Sequence, residues 1–480
     1  MTIRAMPSTK IIAVALQVLL IALLLPMRAA IALDQNQNPN QNQNLNPDPN
    51  GDKQSDSAEI LELTNKLLFQ ELDLERFYVK YRIYGNEEPK TRRVRFFALQ
   101  QAAGGAFLGS NIANTIETAK HFRSPGAVSS RVFTRSGRTG LVGSVLGMSS
   151  SSLELASNGY VAVSNKIKGH DPGTARKTVQ SRLKTIDDLS KRRDELVAKN
   201  KDSAAYELYV EEGLVLKTFR DWCVYEFTDV YSDIKSNQSS NNVFYALDIG
   251  AYAVSLASYT LGLESTKHEK LVYPALDTGF VSDALFTAEA PMTVIANKRL
   301  YNFYWTRLAR QLNEKPMDAE EDAKKQMYKL ESLAAYADES TKPLFGNIAS
   351  RLAIYSFWSV RYDKYIDKRQ GEIRRQSRIA LQSEVSGPLL GLSGLTQDTC
   401  NAVGLYGAKS QPFMSNALAF SGACTSTVGS AASVGLSGWW FADQVRHDRN
   451  YKRVKVLPEM LLEDRLRTLA ILEEMLEAPH

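Results

Sequence analysis

The strongest constraint on this chain is a pair of runs without charge. Phe96 to Ile116 holds 21 residues and Ser410 to Ala442 holds 33, and no charged side chain interrupts either. About 20 residues suffice to cross a bilayer as a helix. Both runs are built from Gly, Ala and Ser more than from Leu or Ile. Gly105 and Gly109, Gly143 and Gly147, and Gly387 and Gly391 each stand four apart, the spacing that lets two helix backbones come close together. Paired helices touching through small residues are therefore expected at the centre of the fold.

The first run returns. Ala98-Leu99-Gln100 opens it, Ala246-Leu247-Asp248 opens a second and Ala380-Leu381-Gln382 a third. Four landmarks tie the first copy to the third at offsets of 281 (Val79 to Val360), 282 (Ala98 to Ala380), 283 (Arg182 to Arg465) and 286 (Pro172 to Pro458). The middle copy is more diverged, yet keeps Trp222 and Tyr225, Ala246 and Pro316 in order, and Asn165-Lys166 recurs as Asn297-Lys298. The pattern predicts three homologous units, Ala58–Asn200, Lys201–Ser340 and Thr341–His480. A period of about 140 residues is domain-scale triplication rather than a solenoid. Each unit reads as a lead helix, a small-residue helical hairpin and an amphipathic arm, giving an all-α protein with pseudo-threefold symmetry.

The arms carry apolar residues three apart: Leu183, Ile186 and Leu189, then Met327, Leu330 and Leu333, then Leu466, Leu469 and Leu472. Such a stripe faces a core, and an upstream proline suits the first turn of a helix. The lead helices are rich in aromatics interleaved with Arg and Lys. Helical spacing of aromatics points first to a core. Tyr81, Trp222, Trp358 and Tyr362 are the candidates for an aromatic contact surface, because Tyr and Trp suit boundaries that are apolar on one side and wet on the other.

At the N-terminus Arg4 and Lys10 precede an apolar run from Ile11 to Pro26 and then Ala30-Ile31-Ala32, the form of a secretory signal peptide over residues 1–32, with a retained anchor as the alternative. Residues 33–57 are nearly all Asn, Gln, Asp, Pro and Ser and read as a disordered linker. The three cysteines, Cys223, Cys400 and Cys424, are read as small buried apolar residues, with Cys400 and Cys424 in one unit and able to pair. A net charge of +5 from 58 basic and 53 acidic residues gives no bulk attraction for nucleic acid.

Catalytic motifs are missing from the sequence. The five histidines hold no metal-ligand spacing, and no nucleophile elbow, Walker loop or dinucleotide fingerprint occurs. No catalytic residue, cofactor or metal is assigned. Adjacent acids such as Asp187-Asp188 point to different sides of a helix and form no dyad.

Isolated acids do interrupt the apolar segments, and each would be costly at bilayer depth. Two arrangements follow. In one, the hairpins form a membrane bundle whose interior holds Glu154, Asp248, Asp277 and Asp283 as a path for ions or small solutes. In the other, the hairpins are the dry centre of a soluble body sheathed by lead helices and arms. The expectation is an exported, non-catalytic envelope protein, membrane-associated and either structural or forming a passage, with a membrane or envelope protein as partner. A soluble periplasmic binding or scaffold module using its aromatic lead helices is the alternative, and a hydrolytic enzyme the third.

Overall fold

The computed structural model describes residues 53–85, 90–123, 130–203, 205–312, 325–326, 328–330, 332, 351, 387–407, 411–453 and 458–477. Almost all of these are helical, and no strand occurs among them. The chain runs through α1 (Lys53–Gly85), α2 (Lys90–Arg123), α3 (Ser130–Ile167), α4 (Pro172–Lys199), α5 (Tyr206–Ser265) and α6 (Val272–Leu312). Helical residues 387–402 form α7, followed by a π turn at Val403–Gly407, α8 (Pro412–Arg453) and α9 (Pro458–Glu477). The signal segment, most of the linker and the third lead helix, including Trp358 and Tyr362, lie outside the described residues. Helix α1 starts at Lys53, so the linker boundary drawn after Ser57 falls inside it.

Local chemistry sets several boundaries. Gly85 ends α1, and Pro89 precedes α2 in the sequence. Gly169 takes a φ of 73°, a left-handed turn that glycine adopts without steric cost. Asp171 then caps α4, its Oδ2 accepting from the Thr174 N–H at 3.1 Å, with Pro172 in the first turn. No Gly or Pro stands between Asp233 and Asn242. The second lead helix therefore runs straight into its apolar segment, and α5 is a single helix of 60 residues, about 90 Å long.

The N-terminal half of α5 belongs to an apolar body. Leu72, Val79 and Tyr81 of α1, Val179 and Ile186 of α4, Phe219 and Phe227 of α5, and Leu469 and Leu472 of α9 share one buried cluster. The arm stripes point inward as their spacing predicts: Leu183, Ile186, Leu330, Leu469 and Leu472 are buried, and Leu189 and Leu466 pack at the edge. Met327 and Leu333 lie outside the described residues. Buried ion pairs tie the body together. Glu212 is fully buried between Arg193 at 3.5 Å and Arg351 at 2.7 Å, and Arg193 also donates to Thr64 Oγ1 and to the Tyr209 carbonyl, both at 2.7 Å. Each guanidinium thus satisfies charge and hydrogen bonds together, which a buried pair requires.

The hairpins project from this body. Helices α2 and α3 pack as a pair, α5 packs with α6, α3 joins α5, and α8 joins α2. Among the described residues, α1, α4, the first half of α5 and α9 pack on one another in the body cluster.

Glu71 lies among Leu67, Leu68, Leu72 and Leu74, and its Oε2 has no hydrogen-bond partner. Burial, reinforced by Asp221, pushes its carboxyl well above the ordinary carboxylate range against the pull of Arg220. A raised folded value means that stability falls as pH rises beyond the ordinary value of 4.5. Glu71→Met is expected to stabilise the fold by about 1–3 kcal/mol at pH 8, the cost of one buried unsatisfied group. Thermal unfolding should show that gain shrinking as pH falls from 8 toward 4.5 and levelling off below it.

Candidate functional site

Polarity is inverted in the hairpins. Within the uncharged run Phe96–Ile116 of α2 the exposed positions are Ala98, Ala102, Gly105, Gly109, Ile112 and Ile116, a single helical stripe, with Arg95 and Lys120 exposed just outside it. On α3 the exposed residues include Val142, Val145, Leu153 and Val163, and on α8 Val428, Gly435 and Trp439. Val163 is 60% exposed and Val428 68%. Charges gather at the ends instead: Arg131, Arg135 and Lys267 at the tips far from the body, and Lys166, Arg446 and Arg449 near it. Aromatics lie close to both levels. Phe122 stacks with Phe420 at 5.7 Å and Tyr273 meets Tyr406 at 5.1 Å on the far side, while Phe97 stacks on Phe441 at 3.9 Å on the near side.

The interior holds the polar groups. Ser110 and Ser136 join α2 to α3 at 3.0 Å, Ser144 and Ser255 join α3 to α5 at 2.9 Å, and Asn111 donates to Ser430 of α8 at 2.8 Å. These short side chains bring the backbones together. A Cβ on Gly147 would lie 2.1 Å from the Tyr252 ring and one on Gly140 2.3 Å from Tyr259, so both tyrosines lie directly on glycine.

At the centre Asp248 accepts from Ser151 and, at 3.1 Å, from Gln100 Nε2. Tyr252 donates to Gln100 Oε1 at 2.7 Å and so fixes that amide's orientation. Glu289 of α6 meets the Asp248 carboxyl, while its Oε2 has no hydrogen-bond partner. Further from the body, Asp283 of α6 interacts with Asp398 of α7, whose Oδ2 is also unpartnered. Each of these three acids presses on a glycine. Cβ atoms on Gly387, Gly394 and Gly279 would approach Glu289, Asp283 and Asp398 to 2.9, 2.1 and 2.7 Å.

The acids singled out from the sequence thus divide. Glu154 is buried at the near end, bonded to Arg92 and, at 2.6 Å, to Arg95. Asp248 and Asp283 face the interior. Asp277 is exposed at the far tip, because it stands one residue before Thr278 and so about 100° round the helix from the buried face of Thr278 and Ser282. Glu289 and Asp398 join the interior although the sequence reading did not select them. Asp398 had a signal: it continues the stripe Gly387, Gly391, Gly394 at helical spacing.

Of the four candidates for an aromatic surface, Tyr81 and Trp222 lie among the described residues. Tyr81 is 2% exposed and packs 6.0 Å from Phe227 in the body core, so it has no face to offer. Trp222 is half-buried.

All three cysteines are free thiols. Burial, then the charges of Glu75 and Glu71, push the Cys223 thiol well above its ordinary range, so it is an inert core residue. Among the described residues no three His, Cys, Asp or Glu side chains stand close enough to hold a metal ion. Also among them, one helix, α5, is long and apolar enough to cross a membrane by length and composition, and 28% of its apolar window is buried.

No protein-family model, curated protein or solved structure matches this chain.

Because Tyr252 fills the space a side chain would need, Gly147→Val is expected to destabilise the fold by about 1–3 kcal/mol through overpacking. Adding Tyr252→Ala should recover part of that loss. Thermal melts of the single and double variants read the coupling directly.

Proposed function

We propose that this chain is an exported, non-catalytic protein of the cell envelope whose hairpins insert in a bilayer as a polar-cored helical bundle. The observation that carries the reading is the uncharged outward face of α2, α3 and α8, combined with acids, serines and amides on the inside. Water favours the opposite arrangement, and a single exposed apolar patch on a soluble monomer seldom exceeds a few hundred Å². In lipid the outward stripes are solvated, and the interior groups satisfy one another. The 21 uncharged residues of α2 span about 30 Å, the thickness of the hydrocarbon layer. Basic residues and aromatics near both ends fit its two interfaces. The apolar body built on α1, α4 and α9 then lies on one side of the membrane. Successive out-and-back pairs, α2 with α3, α5 with α6 and α7 with α8, support three homologous units around a pseudo-threefold axis. Either a structural role or a passage for ions or small solutes agrees with this arrangement.

A soluble scaffold module is the second reading. It is favoured by the fact that only α5 among the described helices meets the length and hydropathy expected of a spanning helix. In that case the outward stripes are covered by a partner protein.

Washing membranes with alkaline carbonate separates the two. The chain is expected to stay with the lipid, whereas complete release would reject insertion. Val145→Lys, on the outward stripe of α3, should lower the membrane-retained fraction, because a cation at mid-bilayer costs about 2.5–3.5 kcal/mol. On a soluble surface the same change would be nearly neutral, within about 0.5 kcal/mol.

A further inference from the structure

We infer that the interior carboxyl pairs, Asp248 with Glu289 and Asp283 with Asp398, are the stations of a proton path through the hairpin bundle. The inference rests on the membrane reading and names the species that the interior would carry.

The polar groups form a file along the bundle rather than a single cluster. From the far end it passes Asp398 and Asp283 beside Tyr259, then Glu289 and Asp248 beside Tyr252, then Gln100 and Ser151, and one turn further along α3 Glu154 with Arg92 and Arg95. Asp283 and Glu289 are six residues apart on α6, a rise of about 9 Å. Pro291 lies just beyond, and its missing N–H releases the carbonyl of Thr287, between the two stations, from its helical bond.

Two features point to a ligand rather than to a packing motif. Glu289 is 95% buried, being 5% exposed, and while its carboxyl meets Asp248, its Oε2 has no hydrogen-bond partner. The donors around Asp248 are arranged for an ionised acceptor. Ser151 and Gln100 both give hydrogen bonds to Oδ2, and Tyr252 locks the amide that way round. A proton on this pair therefore belongs to Glu289. Its transfer breaks the Glu289 O–H and makes an O–H on Asp248, leaving the charge of the pair unchanged.

Size favours a proton over a larger ion. Tyr252 lies on Gly147, Tyr259 on Gly140 and Phe107 against Tyr252 with ring centroids 6.2 Å apart. Such packing is too tight for a hydrated ion, whereas a proton moves by exchange between fixed groups. Among the described residues, the titratable groups facing Glu289 are Asp248 and Tyr252 of α5, and from α7 Gly387 lies against it, where a Cβ would come within 2.9 Å of Oε1.

The test uses the full chain in lipid vesicles carrying a trapped pH-sensitive dye, with carbonate retention and helix content measured on the same samples. After an imposed pH step the wild type should equilibrate at least about tenfold faster than protein-free vesicles, as expected of an intramembrane acid relay. Glu289→Gln should return the rate to the protein-free level with helix content and retention unchanged. Glu289→Asp should keep part of the rate, and Asp398→Asn should lower it independently of the first pair. A wild-type rate equal to empty vesicles, in a chain that resists carbonate, would overturn the relay and leave the membrane reading intact. Full activity in Glu289→Gln, or equally fast entry of K⁺ or Na⁺, would also overturn it. Release of the chain by carbonate would remove both.

Discussion

Contact between glycine and a large or polar side chain on the neighbouring helix holds the hairpins together. Tyr252 on Gly147, Tyr259 on Gly140, Asp283 on Gly394 and Glu289 against Gly387 all occupy space that any Cβ would deny them. The gain is close approach: neighbouring backbones can then be joined by serine pairs only 2.9–3.0 Å long. With the backbones close, hydroxyls and amides reach partners on adjacent helices, and the inside of the bundle can be polar without leaving most of its groups unbonded. If the glycines were replaced by larger residues, the helices would separate and the carboxyls would lose their neighbours.

The body follows different physics. Its core is leucine, valine and aromatic side chains from α1, α4, α5, the end of α6, Leu330 and α9, pinned by buried ion pairs such as Glu212 with Arg193 and Arg351. Breaking such a pair by removing one partner leaves a buried charge and costs about 3–5 kcal/mol. Helix α5 belongs to both regions, its first half in the leucine-rich cluster and its second in the serine and glycine packing. One continuous helix therefore fixes the orientation of the second hairpin relative to the body, a role that Gly85 and Pro89 divide between two helices in the first hairpin.

Much of this was legible in the chain, for reasons that can be named residue by residue. Leu183, Ile186 and Leu469 are buried where their three-residue spacing put them, because an amphipathic helix has only one way to hide its stripe. The helical class followed from the same periodicity. The aromatic surface failed at Tyr81 because spacing alone cannot say whether an aromatic face meets a core or a boundary. Asp277 and Asp283 looked alike in sequence, yet six residues place one at an exposed tip and the other against α7. Glu289 meets Asp248 on another helix, and pairing across helices leaves no trace in local spacing. Trp358 and Tyr362 lie beyond the described residues.

The sequence by itself determined that the chain is helical, that its charge-free runs are rich in small residues, and that amphipathic arms must share a core, since each is a property of consecutive side chains on one helix. Only the tertiary structure decided which side of each hairpin faces inward. Glycine, alanine and serine are compatible with lipid, with protein and with water alike, so their composition leaves the direction open. Packing chose it, by placing Asp248, Glu289, Asp283 and Asp398 where neighbouring glycines made room and turning Val145, Val163 and Val428 outward.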